Sequence, residues 1–136
     1  MQSAVHPTPI AKSSLLAGRI ISALVVLFLV FDGVTKVLQA GFVIEASGQL
    51  GIPASVVPGL GIVLLICTAA YVIPRTSVLG AILLTGYLGG AAATHVRLGG
   101  PIFNVVFAVG FGVLVWLGLF LRDERLRALI PLRREA

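Results

Sequence analysis

Four apolar stretches, each long enough to cross a bilayer, fill this sequence almost end to end and leave room for little else. A membrane-spanning helix needs about 20 apolar residues, and the stretches run over about residues 16–38, 54–73, 76–96 and 102–121. Of the 136 residues, 58% are apolar and only 11% are charged, against about 25% charged in a soluble domain. Mean hydropathy is +1.09. In water, so small a chain has too much surface for its volume to hide that many apolar side chains. The expected fold is therefore all-α: an integral membrane four-helix up-and-down bundle with short loops and a short interfacial C-terminal helix. One transmembrane domain is expected over residues 15–122. A flexible cytoplasmic tail over 1–14 precedes it, and a basic amphipathic cytoplasmic tail over 123–136 follows.

Breakers separate the spans. Gly41, Gly48, Gly51 and Pro53 mark residues 40–53 as a loop. Pro58 falls in the first turns of the second span, where a missing N–H costs least. Pro74 and Arg75 close that span, and residues 97–101 turn the chain into the fourth. The purely apolar part of the first span is short, so the helix must continue through Asp32, Lys36 and Gln39. A cleaved signal peptide is the competing reading; the late start of the apolar run and the Asp32/Lys36 pair just after it argue against cleavage. In the third span Gly86 and Gly90 form a GxxxG pair, with Thr94 four residues further on. Small residues let helices approach closely in lipid, so Gly86 and Gly90 are expected at a helix–helix contact, within the bundle or between two copies. Trp116, near the far end of the fourth span, suits the headgroup belt. In the tail, Asp123 and Arg127 have i,i+4 spacing for a pair, and Leu126, Leu129 and Ile130 share a helical face.

Net charge is +5, and five of the ten basic residues lie after Leu121: Arg122, Arg125, Arg127, Arg133 and Arg134. No aromatic residues interleave with them, so nucleic acid is not an expected partner. They read as a cytoplasmic flank under the positive-inside rule. With Lys12, Arg19 and Arg75 on the same side, both termini are expected in the cytoplasm of a multi-pass protein. Cys67 is the only cysteine. It excludes an intramolecular disulfide and a CxxC redox motif, and in mid-span it reads as a small buried hydrophobe.

The remaining charges gather near the opposite face. Ionisable groups within spans are costly and face the bundle interior or water. Asp32 and Lys36 stand one turn apart on the first span, with Gln39 continuing their stripe. His95 and Arg97 end the third span, and Asn104 opens the fourth. An up-and-down bundle brings these ends to one side. Asp32 and His95 are the candidate acid and base; Lys36, Tyr87, Thr94, Arg97 and Asn104 are the candidate ligand-binding residues. An acid, a base, a cation and amide donors at the mouth of an apolar pocket suit an amphipathic molecule with a polar head, such as a quinone. The alternative is structural: an ion pair that snorkels to the interface and a hydrogen-bonded histidine.

Other chemistries lack their residues. Haem ligation by two intramembrane histidines is excluded because His6 lies in the tail. A zinc site would need Asp32, Glu45 and His95 to converge, and no spacing favours it, so no metal is expected. There is no phosphate-cradling glycine loop and no serine-nucleophile motif. No built-in cofactor is expected beyond a quinone-like ligand.

Several segments resemble one family. Residues 31–36, FDGVTK, resemble the FDGxxK element of DoxX-like membrane proteins, and residues 50–53, LGIP, resemble their LGxP loop. Residues 71–97, YVIPRTSVLGAILLTGYLGGAAATHVR, resemble the IPRT…GAxLLTGYLGGAxATHxR signature, and residues 116–123, WLGLFLRD, resemble the closing WxGLxLRD. The similarity runs over residues 15–131. It implies a four-helix protein of the bacterial inner membrane. The wider DoxX/DoxD group includes subunits linked to quinone-dependent sulfur oxidation and to thiol-oxidative stress complexes.

Together these readings give a membrane protein with an outer-facing polar pocket for a lipophilic, quinone-like small molecule, serving an oxidoreductase system. A partner redox subunit or a second copy of the chain is the expected protein partner. One rival is a cofactor-free membrane isomerase or hydrolase using Asp32 and His95 in acid–base chemistry. Another is a scaffold or assembly subunit whose charges are structural.

Overall fold

The computed structural model describes residues 11–129. Among them are six α-helices and no strand: α1 Lys12–Val37, α2 Gly41–Gln49, α3 Val57–Val72, α4 Ser77–Leu98, α5 Ile102–Arg122 and α6 Glu124–Leu129. Single 3-10 turns, Ala54–Val56 and Pro74–Thr76, lead into α3 and α4. Four segments are long and apolar enough to cross a membrane: Lys12–Val37, Ala54–Val72, Pro74–Leu98 and Ile102–Arg122. These are the four expected spans, shifted by a few residues at their ends. Lys12, Ser13 and Ser14 belong to α1 rather than to a tail; residues 1–10 lie outside the described residues, as do 130–136.

The helices form an up-and-down bundle. α1 packs on α3 and α5, and α4 packs on the same two, so α1 and α4 face each other across the diagonal. Helix association in lipid depends on close contact, because tails outside are as apolar as leucine inside. Glycines supply that contact at the crossings. A Cβ on Gly61 of α3 would stand 2.6 Å from the Gly33 carbonyl of α1, and a Cβ on Gly18 would stand 2.8 Å from the Gly118 carbonyl of α5. At the α3–α4 corner a Cβ on Gly80 would run into the Tyr71 backbone. Val25, Leu29, Leu64, Cys67, Tyr71, Leu84, Val115 and Leu119 fill the interior. The outside is apolar too: Leu24, Leu27, Ile66, Ile82 and Phe103 are all exposed. So much exposed apolar surface fits lipid, not water.

The connections place the polar ends. Ser77 Oγ donates to the Tyr71 carbonyl at 2.9 Å, and Thr76 Oγ1 donates to the Ala70 carbonyl at 2.7 Å, satisfying carbonyls that the end of α3 leaves open. α4 stops at Gly99, whose φ of 64° is left-handed, with its N–H bonded to the Val96 carbonyl. Such a glycine cap ends a helix cleanly, and it fixes His95 and Arg97 in the last turn.

Residues 40–53 are not simply a loop. Their breakers bracket a helix instead of interrupting it: Gly41 opens α2, Gly48 sits in its last turn, and Gly51 (φ 74°) follows it. Val43 and Ser47, four apart, are buried, which is the one-face pattern of a helix lying against a surface. Gln39 likewise departs from expectation. α1 ends at Val37, and Gln39 takes a left-handed φ of 54° in the turn to α2, exposed and off the Asp32–Lys36 stripe.

At the other end α6 forms with Leu126 buried, but Asp123 does not pair with Arg127. Its Oδ1 accepts from the N–H groups of Arg125 (2.9 Å) and Leu126 (3.1 Å), capping α6. Arg127 instead donates to the carbonyls of Phe120 and Leu121 at the end of α5. Ile130, the third member of the expected apolar face, is outside the described residues.

Candidate functional site

A cavity of about 620 Å³ lies toward the end of the bundle opposite the basic flank. It is lined from both diagonal helices: Asp32 and Lys36 from α1, and Tyr87, Thr94 and His95 from α4. Asn104 reaches it from the first turn of α5, and α2 closes part of it with Phe42, Val43, Ala46 and Ser47. Its other walls are mainly apolar and aromatic, with Phe28, Leu29, Leu60, Phe107 and Phe111 among them. Phe28, Phe107 and Phe111 stack as one cluster, with ring centroids 4.4 Å (28–111), 5.6 Å (28–107) and 4.8 Å (107–111) apart.

The polar groups here are unequally satisfied. Lys36 Nζ donates to Asp32 Oδ2 at 2.5 Å, with the lysine side chain 16% and the aspartate 32% exposed. Thr35 Oγ1 donates to the Asp32 carbonyl, and Thr94 Oγ1 to the Gly90 carbonyl, so both threonine protons are spent within their own helices. Tyr87, His95 and Asn104 differ. Each is half-buried, and among the described residues none of their side chains has a hydrogen-bond partner. Half-buried donors and acceptors cost free energy unless water or a ligand reaches them.

Arg97 is exposed and does not line the cavity, because the last turn of α4 rotates it away from His95. Gly86 and Gly90 do line it and touch no other helix of the bundle: a Cβ on either would meet nothing within 4 Å, which leaves a contact between two copies as the packing role open to them. The GxxxG stripe faces the cavity, and the glycines that bring helices together are Gly18, Gly33, Gly61, Gly80 and Gly118. Glu45 is exposed and outside the lining, so Asp32, Glu45 and His95 do not converge, and no metal-ligand cluster exists among the described residues.

Sequence reasoning missed the aromatic walls and the lid-like α2. It also missed a groove of about 670 Å³ between α4 and α5. This groove shares Leu88 and Ala108 with the cavity and runs on past Gly89, Gly112 and Trp116 to Phe120. Trp116 is not a free headgroup anchor, since its Nε1 donates to Thr85 Oγ1 at 2.7 Å and ties α5 to α4.

Comparison with known proteins bears on the whole bundle. The model of the DoxX-like family matches residues 20–118, from the third turn of α1 to within about a turn of the end of α5. No curated protein and no solved structure matches the chain. The chain belongs to the DoxX-like family.

Proposed function

We propose that this member of the DoxX-like family binds an amphipathic, quinone-like small molecule in the cavity between α1 and α4, with the head toward the polar residues and the tail among the aromatics. One observation carries the reading. Three half-buried side chains without a hydrogen-bond partner among the described residues, Tyr87, His95 and Asn104, border the same space as the Asp32–Lys36 ion pair and the phenylalanine cluster. Fixed donors beside an apolar volume are what recognition of carbonyl oxygens on a flat hydrophobic ring requires. A cavity of about 620 Å³ is in the range of small-molecule sites. The groove continuing past Leu88 offers a path for a tail toward the bilayer between α4 and α5. A densely packed end with a solvated ion pair would have favoured a scaffold instead. If the bound molecule is transformed, Asp32 and His95 are the groups placed to exchange protons with it.

The test is native mass spectrometry of the protein purified in mild detergent. The parent should retain a hydrophobic small molecule that extraction identifies as carbonyl-bearing. His95→Gln and Asp32→Asn, both folded, should lose it. A parent that carries no such molecule and takes up no added ubiquinone analogue would end the proposal.

A further inference from the structure

The basic end of the bundle holds a second polar centre that the ligand cavity does not use. Arg122, in the last turn of α5, donates through Nε to Ser22 Oγ of α1 at 3.1 Å. Its guanidinium carbon lies 5.3 Å from the centre of the Tyr71 ring of α3. Ser22 Oγ is 3.0 Å from Tyr71 Oη, and Tyr71 donates to the Val115 carbonyl of α5 at 2.7 Å. The direction of this chain follows from chemistry. An arginine only donates and a carbonyl only accepts. Tyr71 spends its one proton on Val115, so it accepts from Ser22, and Ser22 accepts from Arg122. Gly18 and Gly118 permit it: side chains there would push α1 and α5 apart and separate Ser22 from Arg122.

The chain uses Nε and the aromatic face and leaves the two terminal nitrogens of the guanidinium without an acceptor among the described residues. They belong to a cleft of about 260 Å³ that Arg19 also lines, and Arg19 has no partner there either. Among the described residues no carboxylate lines this cleft. Asp123, the nearest in sequence, caps α6. Deeper along α1, Ala23 and Val26 continue the cleft, with Val72 of α3 opposite, so two arginines at the rim stand above an apolar floor.

We propose that this cleft binds a phosphate group, that of an anionic phospholipid lodged against α1, α3 and α5. An arginine held by Nε presents its remaining planar edge for two-point contact with phosphate oxygens. Basic pockets between membrane helices suit anionic headgroups, and the apolar floor suits the start of an acyl chain. Free phosphate shares the headgroup chemistry but makes no use of that floor.

The experiment compares phosphatidylglycerol, phosphatidylcholine and inorganic phosphate, read as lipid adducts in native mass spectrometry and as thermal midpoint in detergent. The phosphatidylglycerol adduct should survive at collision energies that strip phosphatidylcholine and should raise the midpoint. Arg19→Gln, which breaks no hydrogen bond among the described residues, should weaken phosphatidylglycerol about five-fold, the effect of one basic residue near an anionic surface. Arg122→Lys keeps the charge but loses the two-point geometry and should weaken it at least as much. If inorganic phosphate at millimolar levels displaces the lipid and gives the same stabilisation, the cleft is a phosphate site filled from solution. Equal retention of both lipids, with Arg19→Gln and Arg122→Lys both indistinguishable from the parent, would overturn the proposal.

Discussion

Lys36 Nζ stands 2.5 Å from Asp32 Oδ2, one turn along α1, and this pair shares a cavity with His95 of the diagonal helix α4. The pair is complete within its own helix. Its closure cancels two charges that lipid would penalise, and His95 is not needed for that. The local electrostatics of α1 and any ligand chemistry across the cavity are thus separable by mutation.

Asp32→Asn removes the charge and keeps the shape. Lys36 then loses its counter-charge, but a lysine near a helix end reaches the interface through its flexible stem. Single intramembrane polar contacts are worth about 1 kcal/mol, so the variant should insert and fold with a modestly lowered thermal midpoint. It should lose its co-purified ligand. A variant that fails to accumulate in the membrane would make the pair structural.

His95→Gln separates the readings further. The imidazole has no protein partner among the described residues, so nothing in the fold is broken by its loss. Stability should stay within about 0.5 kcal/mol of the parent, as for substitutions away from packed or bonded features. Ligand retention should fall by an order of magnitude or more. An equal fall in stability and in binding would place His95 in the structural framework.

Orientation rests on charge alone and is open to a direct test. In a Cys67→Ala background, cysteines at Val5, Gln49 and Arg133 report three segments. Membrane-impermeant maleimide added to intact cells should label Gln49→Cys and spare the other two, because Lys12, Arg19, Arg75 and the arginine-rich tail mark their side as cytoplasmic. Labelling at 133 without lysis would invert the protein and turn the ligand cavity toward the cytoplasm.

The four spans were legible because uninterrupted apolar length has few explanations. The cavity residues of α1, α4 and α5 were legible because a charge inside such a span stands out, and an up-and-down bundle leaves only two ends for it. α2 was hidden by its glycines, which occur at its ends, where helices tolerate them, yet read locally as loop. Gly86 and Gly90 face the cavity rather than a neighbouring helix of the bundle, because a small-residue stripe makes room, and sequence does not say whether a helix or a cavity takes it. Ser22, Tyr71 and Arg122 were not connected because each is unremarkable in its own stretch, and their partners lie 49 and 100 positions away. Only the crossing of α1, α3 and α5 brings them together.

The glycines provide the sharpest remaining test, because Gly80 stands at a helix crossing and Gly90 at the cavity wall. A Cβ on Gly80 would strike the Tyr71 backbone, which has no flexible end to swing aside, so Gly80→Leu must separate α3 from α4. Over-packing of this kind costs about 1–3 kcal/mol even where neighbours yield, and here it also disturbs the network anchored on Tyr71. Gly80→Leu should not accumulate as folded protein. Gly90→Leu should behave oppositely. A side chain there enters open space at the cavity wall, and replacing glycine in a helix gains up to about 1 kcal/mol in backbone propensity. Its thermal midpoint should match or exceed that of the parent, while the leucine occupies ligand volume and co-purified ligand disappears. Loss of folding in Gly90→Leu would return the GxxxG stripe to helix packing, and full ligand retention in a folded Gly90→Leu would show that the ligand lies elsewhere.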